Sequence, residues 1–198
     1  MPALTLAGEF VDLVPLTPAH AELTFGWRQS QRAANLNRGA ASVEQQAAWI
    51  AKRPEAEFNF VIRLKDGREV GMVSVTGVDT EHGHCEPGRF LIGDEAAVRG
   101  VPAAVEAMKL VYELVFDRLG LQRIFGTVAS DNTLMIKWQK FLGMKEEGRM
   151  RRHYFINGHF QDAVWLGMLA DEYRNVALPR MNSLIAAGRR AAAQTSKD

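Results

Sequence analysis

The sequence predicts an α/β protein in which a mixed β-sheet is flanked by helices, with a further helical segment at the C-terminal end. Three observations support this fold class. Short β-branched and aromatic runs, which are typical of strands, alternate with helix-length segments. Apolar residues between 101 and 119 recur at intervals of three and four, which indicates one buried helix face. The length of 198 residues is typical of a single domain.

The first part of the chain reads as a strand followed by two short helices. The strand covers residues 4–15. Thr17 is followed by a proline, which is typical of a helix start, and this helix is expected to reach Gln29. Residues 42–45, SVEQ, have the form of a capping box, so a second helix begins there and ends before Pro54.

The middle of the chain carries the predicted sheet strands and the longest predicted helix. Residues 58–64 and 69–76 form a hairpin. A further strand ends at Ile92, and the amphipathic helix that follows it runs to about Leu119. Residues 121–130 have the length and composition of another strand.

The last part of the chain predicts a helix, a hairpin and a C-terminal helical segment. The helix follows Asn132, and Asn157-Gly158 is a strong two-residue hairpin turn. Residues 173, 176, 178, 181, 184 and 185 form one apolar helix face, which packs on the sheet or on a partner subunit. A polar, frayed tail is expected after about Arg190.

Composition excludes several classes of function. Twenty-four Lys and Arg against 23 Asp and Glu leave a net charge of +1, so the chain as a whole has no excess of positive charge for binding nucleic acid. No apolar run approaches the roughly 18 residues that span a bilayer, and the first residues lack the pattern of a signal peptide, so we expect neither a signal peptide nor a membrane partner. A single cysteine, Cys85, fits a reducing compartment, and we expect a cytoplasmic protein. His82, His84 and Cys85 lie too close in sequence for a metal cage, so no metal is predicted.

A strand, a loop of small residues and a helix start predict an anion site at residues 99–104, RGVPAA. The free N–H groups of a first helical turn attract negative charge. Pro102 is expected at the first helical position, where proline is well tolerated, although it removes one donor from the loop. The candidate cofactor-binding residues here are Arg99, Gly100, Val101, Ala103 and Ala104.

These residues resemble the pyrophosphate-binding loop of the GNAT superfamily of N-acetyltransferases, Gln/Arg-x-x-Gly-x-Gly/Ala, with Pro102 in place of the middle glycine. Asn132 and Gly143 stand at the spacing of the family's Asn-x-x-Ser-x-x-x-Tyr-x-x-x-Gly-Phe segment. The final hairpin resembles that of the ribosomal-protein-acetyltransferase-like branch. The resemblance implies acetyl-CoA as cosubstrate and a mixed, mostly antiparallel twisted sheet flanked by helices. It assigns residues 1–170 to an acetyltransferase domain and 171–198 to a C-terminal helical extension and tail.

The resemblance also implies a catalytic arrangement in which the amine attacks the thioester directly. A backbone N–H near Phe90, Leu91 and Ile92 polarises the carbonyl, where flanking glycines suit a distorted strand. Glu86 and His84 are the candidate bases, against the alternative of a polar loop. Gln139 stands at the family's usual tyrosine, so Tyr154 is the candidate acid, unless the thiolate leaves unaided. Asn132 either contacts the pantetheine arm or caps its helix.

The N-terminal third resembles bacterial sugar-nucleotide N-acetyltransferases of the pseudaminic-acid type, through Trp27-Arg28 and the segment 42–49. Arg28 is then expected to meet a diphosphate and Trp49 to stack on a base or sugar. The alternative is that both tryptophans are core anchors. Gln46 stands where that pattern often has histidine.

Three functional hypotheses follow. The first is acetylation of a small-molecule amine, a nucleotide-linked amino sugar. The second is protein N-terminal acetylation of the ribosomal type. The third is a non-catalytic acyl-CoA-binding module, which the changes at Pro102 and Gln139 keep open. An exposed sheet edge or the C-terminal helix is compatible with a homodimer.

Overall fold

The computed structural model describes residues 4–36 and 39–195 and contains an eight-stranded sheet. The spatial order is β1-β2-β3-β4-β5-β6-β8-β7, and every neighbouring pair is antiparallel except β5 and β6, which are parallel. The sheet is therefore mixed and mostly antiparallel, as predicted. The strands are β1 Leu6–Ala7, β2 Val11–Pro15, β3 Phe58–Leu64, β4 Glu69–Asp79, β5 His84–Ile92, β6 Arg123–Ala129, β7 Lys145–Ile156 and β8 His159–Leu169.

Helices connect and cover these strands. Single 3₁₀ turns precede and follow the first helix, and π-helical turns extend the third and fifth at Leu114–Arg118 and Tyr173–Ala177. The helices are α1 Ala21–Gln29, α2 Val43–Ala51, α3 Ala103–Glu113, α4 Thr133–Phe141, α5 Ala170–Glu172 and α6 Leu178–Thr195.

The sheet has a hydrophobic core on each face because successive side chains of a strand point to opposite sides. One core is small and includes Trp27 from α1, packed with alternate residues of the central strands such as Val61 and Met72. The other core is large and includes the opposite set, such as Ile62 and Val73, together with α3 and the C-terminal helices. The N-terminal helices and α3 therefore lie on opposite faces of the sheet.

The opening strand differs from the prediction because the chain turns within it. Residues 4–15 form two short strands joined by a turn, in which the Gly8 N–H donates to the Val11 carbonyl over 2.9 Å. The Glu106 carboxylate of α3 is 4% exposed and accepts the backbone N–H groups of Glu9, Phe10 and Val11 at 2.8, 2.6 and 2.8 Å. A Cβ at Gly8 would lie 2.8 Å from this carboxylate, so only glycine fits the turn.

Two of the predicted local signals form as expected, the second of them only in part. Asn157 and Gly158 have φ values of 52° and 83°, as a two-residue hairpin turn requires. The Ser42 side chain accepts the Gln45 N–H at 3.3 Å and caps α2. The Gln45 side chain accepts the Ala41 N–H and not that of Ser42, so half of the capping box is present.

The C-terminal segment folds as a helix up to Thr195, so the tail expected after Arg190 is helical over these residues. Residues 196–198 lie outside the described part of the chain. Tyr173, Met181 and Ile185 belong to the larger core, whereas Val176, which was predicted on the same face, is 44% exposed. The π-helical turn accounts for this difference because it changes the phase of the apolar pattern.

α6 also contacts the residue that precedes α3. A Cβ at Gly188 would lie 2.7 Å from two ring carbons of Pro102. At the next residue, the Arg189 guanidinium pairs with the Glu9 carboxylate, with Nε 2.6 Å from Oε1. The C-terminal helix is therefore packed tightly against the loop that was predicted to bind pyrophosphate.

Replacing Glu106 with alanine is expected to lower the free energy of unfolding by about 3 kcal/mol, because three backbone donors lose their acceptor. Urea denaturation measures this change. The matched control is Glu113→Ala on the same helix, which removes only a Lys109 ion pair near the surface and is expected to change stability by less than about 1 kcal/mol. Equal losses in the two variants would contradict the anchoring role of Glu106.

Replacing Gly188 with alanine is expected to lower the free energy of unfolding by about 1–3 kcal/mol, because the added methyl overlaps the Pro102 ring. The control is Gly26→Ala in α1, where a Cβ meets nothing within 4 Å and helix propensity favours alanine. Thermal denaturation of both variants checks the prediction. In a Pro102→Ala background, the Gly188→Ala change should become nearly neutral; persistence of the full loss there would exclude the contact as its cause.

Candidate active site

The central feature of the sheet is a cleft where two parallel strands separate. β5 and β6 pair only at His84 with Arg123 and at Cys85 with Ile124. Beyond these positions the strands diverge. The gap between them is part of a cleft of about 650 Å³, lined on one side by residues 86–90 and on the other by residues 126–129. This edge of β5 is therefore open to a ligand that runs between the strands.

β5 carries a bulge at the cleft. Met72 pairs with Leu91 and Ser74 with Gly88, so two residues of β5, Arg89 and Phe90, lie opposite the single residue between them on β4. The predicted distortion of this strand is therefore present. Of the three predicted carbonyl-polarising positions, Phe90 lines the cleft. Leu91 and Ile92 pair with β4 and are buried, at 5% and 6% exposure.

Glu86 lies at the point where the strands begin to separate. A Cβ at Gly126, across the gap on β6, would be 3.8 Å from Glu86 Oε1. Burial raises the pKa of the Glu86 carboxyl above its ordinary value, while Arg89 and the Thr127 backbone N–H act in the opposite direction. A carboxylate of raised pKa is a better proton acceptor at neutral pH. Its position and its pKa both suit the predicted base.

Tyr154 reaches the same cleft from β7. Its hydroxyl lies 2.6 Å from the Thr127 hydroxyl, and both residues line the cleft. Gln139 also lines the cleft, and its carbonyl oxygen accepts a hydrogen bond from the Tyr112 hydroxyl at 3.4 Å. Tyr112 is fully buried, and burial raises the pKa of its hydroxyl. Of the two tyrosines, Tyr154 and Tyr112, Tyr154 is therefore the more accessible proton donor.

His84 lies outside the residues that line the cleft. It is two residues before Glu86 on β5, where that strand is still paired with β6, and its ring packs against Phe125 at 5.4 Å. Its Nε2 atom is 3.9 Å from an Asp79 carboxylate oxygen. Of the two candidate bases, only Glu86 faces the cleft. Cys85 is fully buried, and burial together with Glu86 raises the pKa of its thiol to about 12.

Asn132 caps its helix, which is one of its two expected roles, and the residue also lines the cleft. Its side-chain oxygen accepts the Met135 N–H at 3.3 Å and caps α4. It also lines the cleft, on the side where β6 ends. The helix cap holds the side chain at this position.

The predicted anion loop lies between β5 and α3. Gly100 has a φ of 78°, which a residue with a side chain seldom adopts. α3 begins at Ala103, so Pro102 precedes the helix and does not occupy its first position as predicted. The Pro102 carbonyl accepts the Glu106 N–H, the first bond of the helix. The loss of the proline N–H therefore removes no donor from the first turn of α3. Arg99, Val101 and Ala104 lie on this loop and first turn, beside the buried Ala103.

The two tryptophans of the N-terminal third have different environments. Trp27 is 8% exposed and packs so closely on Gly93 that a Cβ there would overlap the indole, so it is a core anchor. Trp49 is 39% exposed and lines the cleft together with Arg28. Gln46 is buried and donates to the Thr24 hydroxyl at 3.0 Å.

Sequence reasoning missed Arg89. Arg89 lines the cleft, and its guanidinium donates to the Glu57 carboxylate at 2.8 Å and to the Asn59 side-chain oxygen at 3.3 Å. Two signals pointed to it: an arginine interrupts an apolar strand, and it follows a glycine at a position suited to a bulge.

The residues fit acetyl-CoA in two respects. The open edge of β5 suits the extended pantetheine arm, and the first turn of α3 suits the phosphates. Within residues 4–36 and 39–195, no group of three or more His, Cys, Asp and Glu side chains could hold a metal ion. None of the helices in this described part of the chain has both the length and the hydrophobicity needed to cross a bilayer.

Comparisons with known proteins agree with this geometry. The family model for the acetyltransferase (GNAT) domain matches residues 11–145. An uncharacterized, prophage-derived N-acetyltransferase of Bacillus subtilis is 29% identical over 133 residues, which are 67% of this chain and 73% of that protein. The spermidine N(1)-acetyltransferase of Escherichia coli K12 is 27% identical over 119 residues, which are 60% of this chain and 62% of that protein. The chain thus matches less than two thirds of that relative's length.

Solved structures share the fold. A GCN5-related N-acetyltransferase from Brucella melitensis has a TM-score of 0.77 at 23% identity, over 92% of this chain and 86% of its own. Spermidine N-acetyltransferase from Vibrio cholerae, in complex with CoA and spermine, has a TM-score of 0.75 at 20% identity, over 85% of this chain and 100% of its own. With the family match and the cleft between β5 and β6, these findings show that the chain belongs to the GNAT family of acetyl-CoA-dependent N-acetyltransferases.

Proposed function

We propose that the protein transfers an acetyl group from acetyl-CoA to the primary amine of a nucleotide-linked amino sugar, by direct attack in a ternary complex. The observation that carries the chemistry is the placement of Glu86 and Tyr154 in one cleft, where β5 and β6 separate. Acetyl-CoA supplies the activated acetyl group. The residues of this chain bind it, take up a proton and stabilise charge.

The side chains have separate roles in this proposal. An alkylamine is mostly protonated at neutral pH, so Glu86 takes a proton from the acceptor nitrogen before or during attack on the thioester carbonyl. A backbone N–H of β5 near Phe90 donates to the carbonyl oxygen as negative charge develops on it. The Tyr154 hydroxyl donates a proton to the departing sulfur. Asn132 and the first turn of α3 hold the arm and the phosphates.

The acceptor side of the cleft supports an amino sugar attached to a nucleotide. Arg28 suits a diphosphate, and the exposed ring of Trp49 suits a base or sugar face. The names of the spermidine-acetylating relatives favour a second candidate, a polyamine. Protein N-terminal acetylation rests on the resemblance of the final hairpin. A non-catalytic acyl-CoA-binding role rests on Gln139, and acetyl transfer with any amine would exclude it.

Two further parts of the proposal concern the protein's surroundings. We place the reaction in the cytoplasm because the lone cysteine suits a reducing compartment. We also propose a homodimer, supported by the long edge strand β7 and by Phe155 and Phe160, which are exposed near the tip of its hairpin.

CoA-thiol release from acetyl-CoA tests the proposed function, with nucleotide-linked amino-hexoses, spermidine and peptides with free Ala or Ser N-termini as acceptors. Turnover confined to the nucleotide-linked sugars supports the proposal. Turnover with spermidine or peptides alone replaces the acceptor but keeps the chemistry. Acetyl-CoA binding without turnover on any amine would favour the binding module.

Glu86→Gln is expected to lower kcat by about 10²–10⁴-fold at neutral pH, because the variant lacks the proton acceptor.

The Glu86→Gln variant should also be more stable than the wild type at neutral pH. A carboxyl whose pKa is raised by folding stabilises the protein fully below its unfolded pKa and loses that contribution as the pH rises through the folded value. The excess melting temperature of Glu86→Gln should therefore grow as pH rises from about 4 to 7. An excess independent of pH would contradict the buried, titrating carboxyl.

Tyr154→Phe is expected to lower kcat by at least about tenfold, with a smaller change in KM for acetyl-CoA, because only the departing thiolate loses its donor. Steady-state kinetics measure both constants. Tyr173→Phe is the control, because it removes a buried hydroxyl of the larger core that lies outside the cleft lining. Wild-type kcat in Tyr154→Phe would mean that the thiolate leaves unaided.

A further inference from the structure

An arginine cluster forms one end of the acceptor side of the cleft. Arg89 and Arg53 share the Glu57 carboxylate, at 2.8 and 3.2 Å. They also share the Asn59 side-chain oxygen, which lies 3.3 Å from Arg89 Nη1 and 2.6 Å from Arg53 Nη1. Arg28 lines the same cleft as Arg89. One carboxylate and one amide thus hold two guanidinium groups in place.

Trp49 is part of this arrangement. The Arg53 guanidinium lies 3.7 Å from the centre of the Trp49 ring, and the Arg89 guanidinium lies 5.5 Å from it. Both distances are within the range of cation–π contact. Trp49 lines the cleft, so its fluorescence is placed to report on events at these guanidinium groups.

Arginine is the more frequent charged residue type among the described residues that line the cleft. The charged residues that line the described part of the cleft are Arg28, Arg89 and Glu86. Burial, with repulsion by Arg89 as the smaller cause, lowers the pKa of Arg28 and lowers that of Arg53 to about 10. Arg89 therefore lies within electrostatic range of both Arg28 and Arg53, and the Glu57 carboxylate pairs with Arg89 and Arg53.

Arg89 also occupies a strained position. Its φ of 52° lies in the left-handed region, which an arginine seldom adopts. Strain of this kind is often retained at functional sites. The bulge that imposes it brings Arg89 to the cleft three residues after the proposed base, Glu86.

We propose that the acceptor carries an oxyanion, a phosphate or carboxylate, which Arg89 and Arg28 bind while Glu86 receives the proton of its amine. Guanidinium groups bind these oxyanions through paired, charge-assisted hydrogen bonds. A polyamine would bring further positive charge to this end and is disfavoured. The inference rests on the proposed acetyl transfer, deepens it to a substrate class, and gives Arg89 the role of a specificity-determining residue.

Four acceptors of similar length test the substrate class: 4-aminobutyl phosphate, 4-aminobutanoate, 4-aminobutan-1-ol and 1,4-diaminobutane. They present one primary amine opposite a phosphate, a carboxylate, a neutral hydroxyl or a second cation. For the better of the two oxyanions, kcat/KM is expected to exceed that of the alcohol by about ten- to a hundredfold, with the diamine lowest. The first two acceptors identify which oxyanion is preferred. A diamine equal to or better than both overturns the proposal while leaving acetyl transfer intact.

Arg89→Gln tests the residue. Glutamine meets the same backbone strain as arginine, so the comparison isolates the guanidinium group. The preference for the oxyanion over the alcohol, measured as the ratio of their kcat/KM values within each variant, is expected to fall by about tenfold or more. Arg68→Gln is the matched control, because Arg68 is exposed and pairs with Asp66 in the β3–β4 turn. A preference that survives Arg89→Gln unchanged removes Arg89 from the proposal.

A binding measurement tests the same site without turnover. Inorganic pyrophosphate is titrated into protein saturated with CoA, so that the cosubstrate's own phosphate site is filled, and tryptophan fluorescence is followed. A saturable change is expected in the wild type and in Arg68→Gln, and its loss is expected in Arg89→Gln and Trp49→Phe. Absence of the change in the wild type overturns the anion site even if amines are acetylated. Its presence without any acetyl transfer supports the anion site and counts against the proposed function alone.

Discussion

The structure depends on the point at which one parallel strand pairing ends. β1–β5 form one half of the sheet and β6–β8 the other, and His84 and Cys85 supply the ladder between them. The Gly83 carbonyl strengthens this closed end by accepting the N–H groups of Gln122 and Arg123 at 2.7 and 3.1 Å. Because the pairing with β6 stops there, the following residues of β5 pair with β4 on one edge and face a cleft on the other. A fold that closed this gap would have no room for a thioester.

The bulge in β5 determines which side chains can act together. In a regular strand, residues three apart face opposite sides of the sheet. The extra residue at Arg89 and Phe90 breaks this alternation, and Glu86 and Arg89 line one cleft. One short segment thus supplies the proposed base, whose pKa is raised by burial, and a cation that Glu57 and Asn59 hold in place. Local backbone geometry therefore brings together charges that a regular strand would separate.

The order of the elements was predictable from sequence, because hydrophobic periodicity and turn signals are local, and several candidate site residues, among them Glu86, Asn132 and Tyr154, line one cleft. The Asn157-Gly158 turn and the Asn132 cap are examples. Features that depend on contacts distant in the chain were not predictable. Glu106 is a charged residue in an amphipathic helix, and only the fold shows that it holds the turn after β1. Trp27 and Trp49 are chemically identical, and packing on Gly93 is what separates them.

The contact between Pro102 and Gly188 changes how the loop before α3 should be understood. Pro102 departs from the pattern of a pyrophosphate loop, but its ring packs against Gly188 of the C-terminal helix, where only a glycine leaves room for it. The residues at positions 102 and 188 are therefore expected to vary together during evolution: where position 102 is glycine, position 188 should accept a residue with a side chain. The C-terminal helix α6 thus restrains a loop near the middle of the chain, and removing α6 is expected to alter the shape of that loop without changing any residue of the cleft.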